Sequence, residues 1–261
     1  MNIQHQCTSK VMQLFTAAVL LAVPYASAVA GTFSAGIPGG WTCNGTCGTL
    51  GADGVVTLAP GSSSPYGYVT TTGGNFGTGL GYSGDTNGSV LRTALFTANI
   101  GDKLEFYFNY ITHDGSGFAD YGWSLLRDDA GVVTDYLFTA RTKPSGDIVP
   151  GFGLPSASAT FTPASTAIIG GAPAWSPLGP PRCFAAGCGY TGWVKSTFVF
   201  SKAGKYSLDF GVVNWSDTSF QSGLAFDGAV LNGVDLGGVP EPATFALMGA
   251  ALGVIALIRR K

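Results

Sequence analysis

Charge is scarce in this 261-residue sequence. Asp, Glu, Lys and Arg make up 11% of it, and glutamate occurs only at Glu105 and Glu241. A coiled coil draws on Glu, Lys and Leu, so that class is excluded. A basic excess is also missing. Thirteen Lys+Arg face fifteen Asp+Glu, a formal charge of −2, which offers nucleic acid no field. Histidine is limited to His5 and His113. No G-x-S-x-G occurs, so a serine hydrolase of that type has no nucleophile elbow. Disorder is excluded from the other side, because 46% of residues are hydrophobic, with 17 Phe, 10 Tyr and 5 Trp. The abundant residues are 40 Gly and 14 Pro. They follow no every-third period, which excludes collagen. A Gly-punctuated, aromatic-rich chain of this kind reads as all-β.

Both ends read as addresses. Lys10 supplies a modest positive start, and residues 11–23 are apolar except for Gln13 and Thr16. Pro24 ends the run. Ala26-Ser27-Ala28 or Ala28-Val29-Ala30 then offers signal peptidase a small-x-small cleavage site. The run is short for a membrane span, which needs about 20 residues. A cleaved signal peptide over 1–30 is therefore expected rather than a retained anchor. The far end runs Val239-Pro240-Glu241-Pro242, then an uncharged stretch 243–258, then Arg259-Arg260-Lys261. At about 1.5 Å per residue that stretch reaches roughly 24 Å as a helix. Snorkelling and local thinning fit it to a core of about 30 Å, so a transmembrane helix is expected. The three cations hold its end in the cytoplasm. The precursor is thus expected in the inner membrane, with its body on the periplasmic side.

This tail resembles the PEP-CTERM sorting signal of Gram-negative bacteria. Pro-Glu-Pro, a short apolar helix and a basic terminus stand in the family's order at the end of the chain. The resemblance implies recognition by exosortase, an integral-membrane protease-transpeptidase. It also implies cleavage near the motif and delivery to the cell surface or the exopolysaccharide matrix. Pro240, Glu241 and Pro242 match the recognition motif, and Arg259, Arg260 and Lys261 match the retention cluster. The likeness spans some 23 residues and is silent on the body's activity. Without residues 1–30 and 239–261, the body holds 9 Lys+Arg and 14 Asp+Glu, a formal charge of −5. Such a body suits solubility and not polyanion binding.

Residues 31–238 read as one β-rich domain. In 103–111, Leu104, Phe106, Phe108 and Tyr110 alternate with Glu105, Tyr107 and Asn109, the pattern of a half-buried strand. Segments 193–200 and 205–213 alternate in the same way. Further strands are expected at 55–58, 66–71, 90–96, 121–127, 132–139 and 224–231. Stretches 61–88 and 143–181, rich in Gly, Ser, Thr or Pro, read as long loops. The pattern predicts an all-β fold, an antiparallel two-sheet β-sandwich that is jelly-roll or lectin-like. It also looks like the lectin-like bodies of many PEP-CTERM proteins, at 101–106 and at 210–217.

Cys7 lies in the signal. The other four cysteines form two local pairs, Cys43 with Cys47 and Cys183 with Cys188. An even count in an exported body points to disulfides. Four cysteines allow three connectivities, of which local pairing asks least of the chain. A Cys₄ zinc site is the rival, and export argues against it.

Little else carries chemistry. His113 is the body's only histidine, and no spacing singles out an acid pair for glycoside hydrolysis. No enzyme activity, catalytic residue or bound cofactor is expected. Calcium is the exception to weigh, because it takes hard oxygen ligands from loops. Asp114 and Asp120 flank a glycine-containing turn and are the calcium candidates, with Asp217 and Asp227 behind them. Turn-capping is the ordinary role of such aspartates. For glycan contact, Trp175 in the Pro-rich loop and Trp215 beside a turn are the aromatic candidates. The expected function is a structural or adhesive protein of the surface or exopolysaccharide matrix. A carbohydrate-binding module, with or without calcium, is the alternative, and a polysaccharide hydrolase comes third.

Overall fold

The strand Lys103–Thr112 buries Leu104, Phe106, Phe108 and Tyr110 as its alternation predicts, and from Asn109 to Thr112 its other face is buried as well. This is a computed structural model, and it describes residues 32–237. The expected signal peptide, the Pro240-Glu241-Pro242 motif, the apolar run and the basic tail lie outside the described residues.

Two antiparallel sheets dominate. The seven-stranded sheet runs Thr42–Asn44, Asp85–Arg92, Gly204–Trp215, Tyr121–Asp128, Val133–Arg141. Asn75–Phe76 and Phe96–Ala98 attach to its second and third strands. The nine-stranded sheet runs Thr160–Thr162, Val194–Val199, Lys103–Thr112, Ser222–Leu231, Tyr66–Thr70, Thr46–Leu50, with three two-residue strands beside it. Asp147–Val149 and Thr166–Ala167 form a separate pair. Among the described residues there is no α-helix; the only helical turn is the 3₁₀ segment Ser176–Leu178. None of them forms a helix long and apolar enough to cross a membrane.

The sheets meet through aromatic rings. Phe138 of the seven-stranded sheet stacks on Phe108 of the nine-stranded sheet, centroids 3.9 Å apart. Phe210 stacks likewise on Phe226 at 4.0 Å, and Phe106 meets Phe210 edge-on at 5.1 Å. Burying each such side chain stabilises the fold by about 1.5–3 kcal/mol, so this layer is the main core. The seven-stranded sheet also buries its outer face. Tyr121, Trp123, Leu125 and Val213 lie there beneath Leu80, Tyr82 and Leu154 of the covering loops.

Three sequence expectations change. Segment 55–58 is not a strand. Gly54 takes a positive φ of 55°, Val56 bridges back to Asp53, and the Val55 N–H donates to the Ala174 carbonyl. Segment 90–96 is split between Asp85–Arg92 and Phe96–Ala98, which pair with different stretches of Gly204–Trp215. The long loops 61–88 and 143–181 contain short strands, among them Asn75–Phe76, Thr160–Thr162 and Ile169–Gly170. Most side chains of these strands are exposed, so no apolar alternation announces them.

Candidate functional site

At one end of the molecule the strands stop together, and their final residues build a buried polar cluster. Thr112 closes Lys103–Thr112, Asp120 precedes Tyr121–Asp128, Asn214 stands near the end of Gly204–Trp215, and Ser222 opens Ser222–Leu231. The register places Ser222 opposite Thr112 and Val213 opposite Tyr121. All four polar side chains are buried.

Asp120 sits at the centre. Its Oδ1 accepts the Trp215 N–H at 2.7 Å, and its Oδ2 accepts the Ser222 hydroxyl at 2.5 Å. Ser222 Oγ also lies 2.7 Å from Thr112 Oγ1, which accepts the Asp114 N–H at 2.9 Å. Asp114 turns its Oδ1 to the Gly115 N–H at 2.7 Å. Its Oδ2 is buried without a hydrogen-bond partner, as is Asn214 Oδ1. An orphaned buried acceptor costs about 1–3 kcal/mol, more if charged.

The electrostatics follow from burial. Desolvation pushes the Asp114 carboxyl up to about 7, against the Gly115 N–H and with the Asp217 charge adding to it. Desolvation, then the Asp114 charge, holds Asp120 well above the usual carboxylate range. The Asp217 charge thus raises the proton affinity of Asp114 and Asp120, and the Asp114 charge raises that of Asp120. Chemically, the cluster offers hard oxygen donors and binds protons tightly. Yet among the described residues no three His, Cys, Asp or Glu side chains are grouped to hold a metal by themselves. Any cation here would need the amide of Asn214, hydroxyls, backbone carbonyls or water as well.

The expected calcium candidates Asp114 and Asp120 are therefore brought together, and the Asp217 charge acts on both without joining them as a third grouped ligand. Asp227 is not part of the cluster; it is buried elsewhere, in Ser222–Leu231 near Ser62. The sequence assigns a ligand role neither to Asn214, inside the lectin-like segment 210–217, nor to Ser222, since each reads there as an ordinary strand-end residue. His113 is buried, and its Nε2 lies 3.1 Å from the Pro173 carbonyl. Burial lowers its pKa.

The aromatic candidates fare differently. Trp175 is 1% exposed, which removes it as a glycan contact. Its indole N–H donates to Tyr66 Oη at 2.9 Å, and its ring meets Tyr68 edge-on. The Pro-rich loop folds this residue onto the nine-stranded sheet, where Gly223 leaves room for the indole; a Cβ at Gly223 would strike it. Trp215 is half-buried, with the Arg141 guanidinium 4.2 Å above its ring and Gly84 packed against it.

The cysteines pair as Cys43–Cys47 and Cys183–Cys188, with Cα atoms 6.1 and 5.5 Å apart. The first ties Thr42–Asn44 of one sheet to Thr46–Leu50 of the other. The second closes a loop over the acidic cluster. The Phe184 N–H donates to the His113 carbonyl, and the Ser116 N–H to the Ala186 carbonyl.

Beyond the body, the tail is decisive. Residues 238–261 carry a PEP-CTERM protein-sorting motif. The PEP-CTERM motif marks an exported, surface-directed protein that is processed by exosortase. No curated protein matches the chain. Among the solved structures that are similar are two from Porphyromonas gingivalis W83. One is the K1 cleaved adhesin domain of Lys-gingipain, at 18% identity and TM-score 0.33, covering 76% of this chain and 95% of that one. The other is the K3 cleaved adhesin domain of the same protein, at 12% identity and TM-score 0.32, covering 75% and 96%.

Proposed function

We propose that this chain is a non-enzymatic protein of the cell surface or extracellular matrix, with a structural or adhesive role. The PEP-CTERM motif at 238–261 is the observation that carries this reading. In it, signal peptidase removes residues 1–30, and the tail holds the precursor in the inner membrane with its body outside. Exosortase then releases it towards the exopolysaccharide. The body is a two-sheet sandwich of jelly-roll type, a reading supported by the rings of Phe210 and Phe226 stacked between the sheets. A non-catalytic role is supported by His113, whose Nε2 faces a backbone carbonyl rather than a nucleophile. The test is to follow the chain in an exosortase-bearing host and in one lacking the enzyme. Release in the first and membrane retention in the second is expected. Equal release from both overturns the reading.

A second reading, calcium-dependent glycan binding, is favoured by one feature: the buried Asp114 Oδ2 without a partner, close to Asp120. Calcium there would neutralise carboxylates that otherwise hold protons. A glycan array with and without chelator tests it. Binding that disappears in chelator supports it; no binding to any glycan overturns it.

A further inference from the structure

On the outer face of the seven-stranded sheet, Asp209 and Gly211 alternate with the core residues Leu208, Phe210 and Val212. Asp209 is 1% exposed and accepts three hydrogen bonds from two guanidinium groups. Its cross-strand neighbour Arg92 donates from Nε at 2.6 Å and from Nη2 at 2.8 Å. Arg127 donates from Nε at 2.9 Å and spends Nη1 on the Gly131 carbonyl. Among the described residues, Nη1 of Arg92 and Nη2 of Arg127 have no protein acceptor. Two cations on one carboxylate leave a net positive site in a body whose formal charge is −5.

These groups line a groove of about 280 Å³, with Asn44, the 77–80 turn and Trp123 completing its walls. Pockets for small ligands run from about 300 to 1,000 Å³, so this one suits a single sugar-sized group. Trp123 lies over Gly211, where any Cβ would strike the indole, and is 2% exposed. Recognition here therefore rests on charge and hydrogen bonds, not on stacking. A planar guanidinium with a free N–H edge matches a carboxylate better than any neutral group. Asn44 and the turn's backbone offer partners for hydroxyls.

We propose that this groove binds the carboxylate of an acidic sugar, a uronate unit of a polyanionic exopolysaccharide. The proposal rests on the surface reading above and supplies its adhesive contact. It also qualifies the expectation drawn from net charge: the body as a whole repels polyanions, while this groove attracts one carboxylate.

The experiment titrates trigalacturonate into the full-length chain, purified in detergent, by calorimetry and by NMR of the arginine Nε–H signals. Maltotriose and sodium sulfate are the control ligands. Trigalacturonate is expected to bind and to shift Arg92 and Arg127, with affinity falling as salt rises. Arg127→Lys and Arg92→Lys keep the charge that pairs with Asp209 but lose the fork. Each is expected to weaken binding about tenfold, the size of one charge-assisted hydrogen bond. No binding of trigalacturonate, equal binding of maltotriose, competition by sulfate at equal strength, or undiminished binding in both variants overturns the proposal. Export and processing are scored separately, so failure here leaves the sorting result to stand or fall alone.

Discussion

Phe210 and Phe226 lie face to face with centroids 4.0 Å apart and planes 1° from parallel, one ring from each sheet. Phe33 meets Phe226 edge-on, and Phe106 meets Phe210 in the same way. The two Phe210 contacts hold the sheets to each other rather than stabilising either alone, and Phe33 packs onto them from the turn before the first strand. Phe226→Ala is expected to cost about 3–5 kcal/mol in denaturant unfolding, the range for emptying a packed aromatic site. A loss below 1 kcal/mol would mean that the sheets are held by something other than this ring layer.

The acidic cluster predicts an unusual pH profile. The folded state holds a proton on Asp114 up to about pH 7, while the unfolded chain releases it near the ordinary value of 3.8. Between those values the native state binds more protons, so stability falls as pH rises from about 4 to about 7. Asp120 acts in the same direction. Melting temperatures measured in chelator across this range are expected to decline. Asp114→Asn removes the ionisation, so it is expected to flatten the curve and melt higher at pH 8. A flat wild-type profile contradicts the assignment.

Calcium and protons would compete for the same oxygens. If calcium occupies the cluster, a hundredfold excess over its Kd adds about 2.7 kcal/mol. At about 2–4 °C per kcal/mol for a domain of this size, the melting point rises by several degrees. The rise is expected to be larger at pH 8 than at pH 5 and to vanish in Asp114→Asn. Magnesium giving the same rise as calcium, or neither giving one, counts against the second reading.

The disulfides close loops of five and six residues. Chain entropy assigns each about 2 kcal/mol. Paired Cys→Ala variants should lose that much. The Cys183/Cys188 variant has a second consequence, because the loop it closes packs on Gly115 and covers Asp114. Amide hydrogen exchange at Gly115 and Ser116 is expected to quicken in that variant. Unchanged exchange there would show that the loop keeps its place without the bond.

Part of the frame was legible because strands that turn every second apolar residue to the opposite sheet write a period of two into the sequence, even where loops also cover their other face. Lys103–Thr112, Val194–Val199 and Gly204–Trp215 show that period, whereas Ser222–Leu231, buried along most of its length, reads as a strand without it. Strands such as Thr42–Asn44 and Thr160–Thr162 were not legible, because they lie at sheet edges with mostly exposed side chains. Asp114 and Asp120 stood out as acids around a turn, but their burial beside Asn214 and Ser222 is tertiary. Four strand ends must converge before those residues are neighbours. Trp175 misled for a related reason. Its Pro-rich surroundings signal a surface loop, yet Gly223 on a distant strand makes room for its indole. Likewise Asp209 reads as one acidic residue in a strand, and only strand register brings Arg92 and Arg127 onto it.

The central claim is that the tail directs this protein to the surface through exosortase. Its most direct test replaces Glu241 of Pro240-Glu241-Pro242 by alanine in an exosortase-bearing host and follows the chain by fractionation and surface proteolysis. The wild type is expected to lose its tail and become protease-accessible outside the cell, while Glu241→Ala stays full-length in the membrane fraction. Identical processing and identical surface exposure of the two proteins would contradict the account.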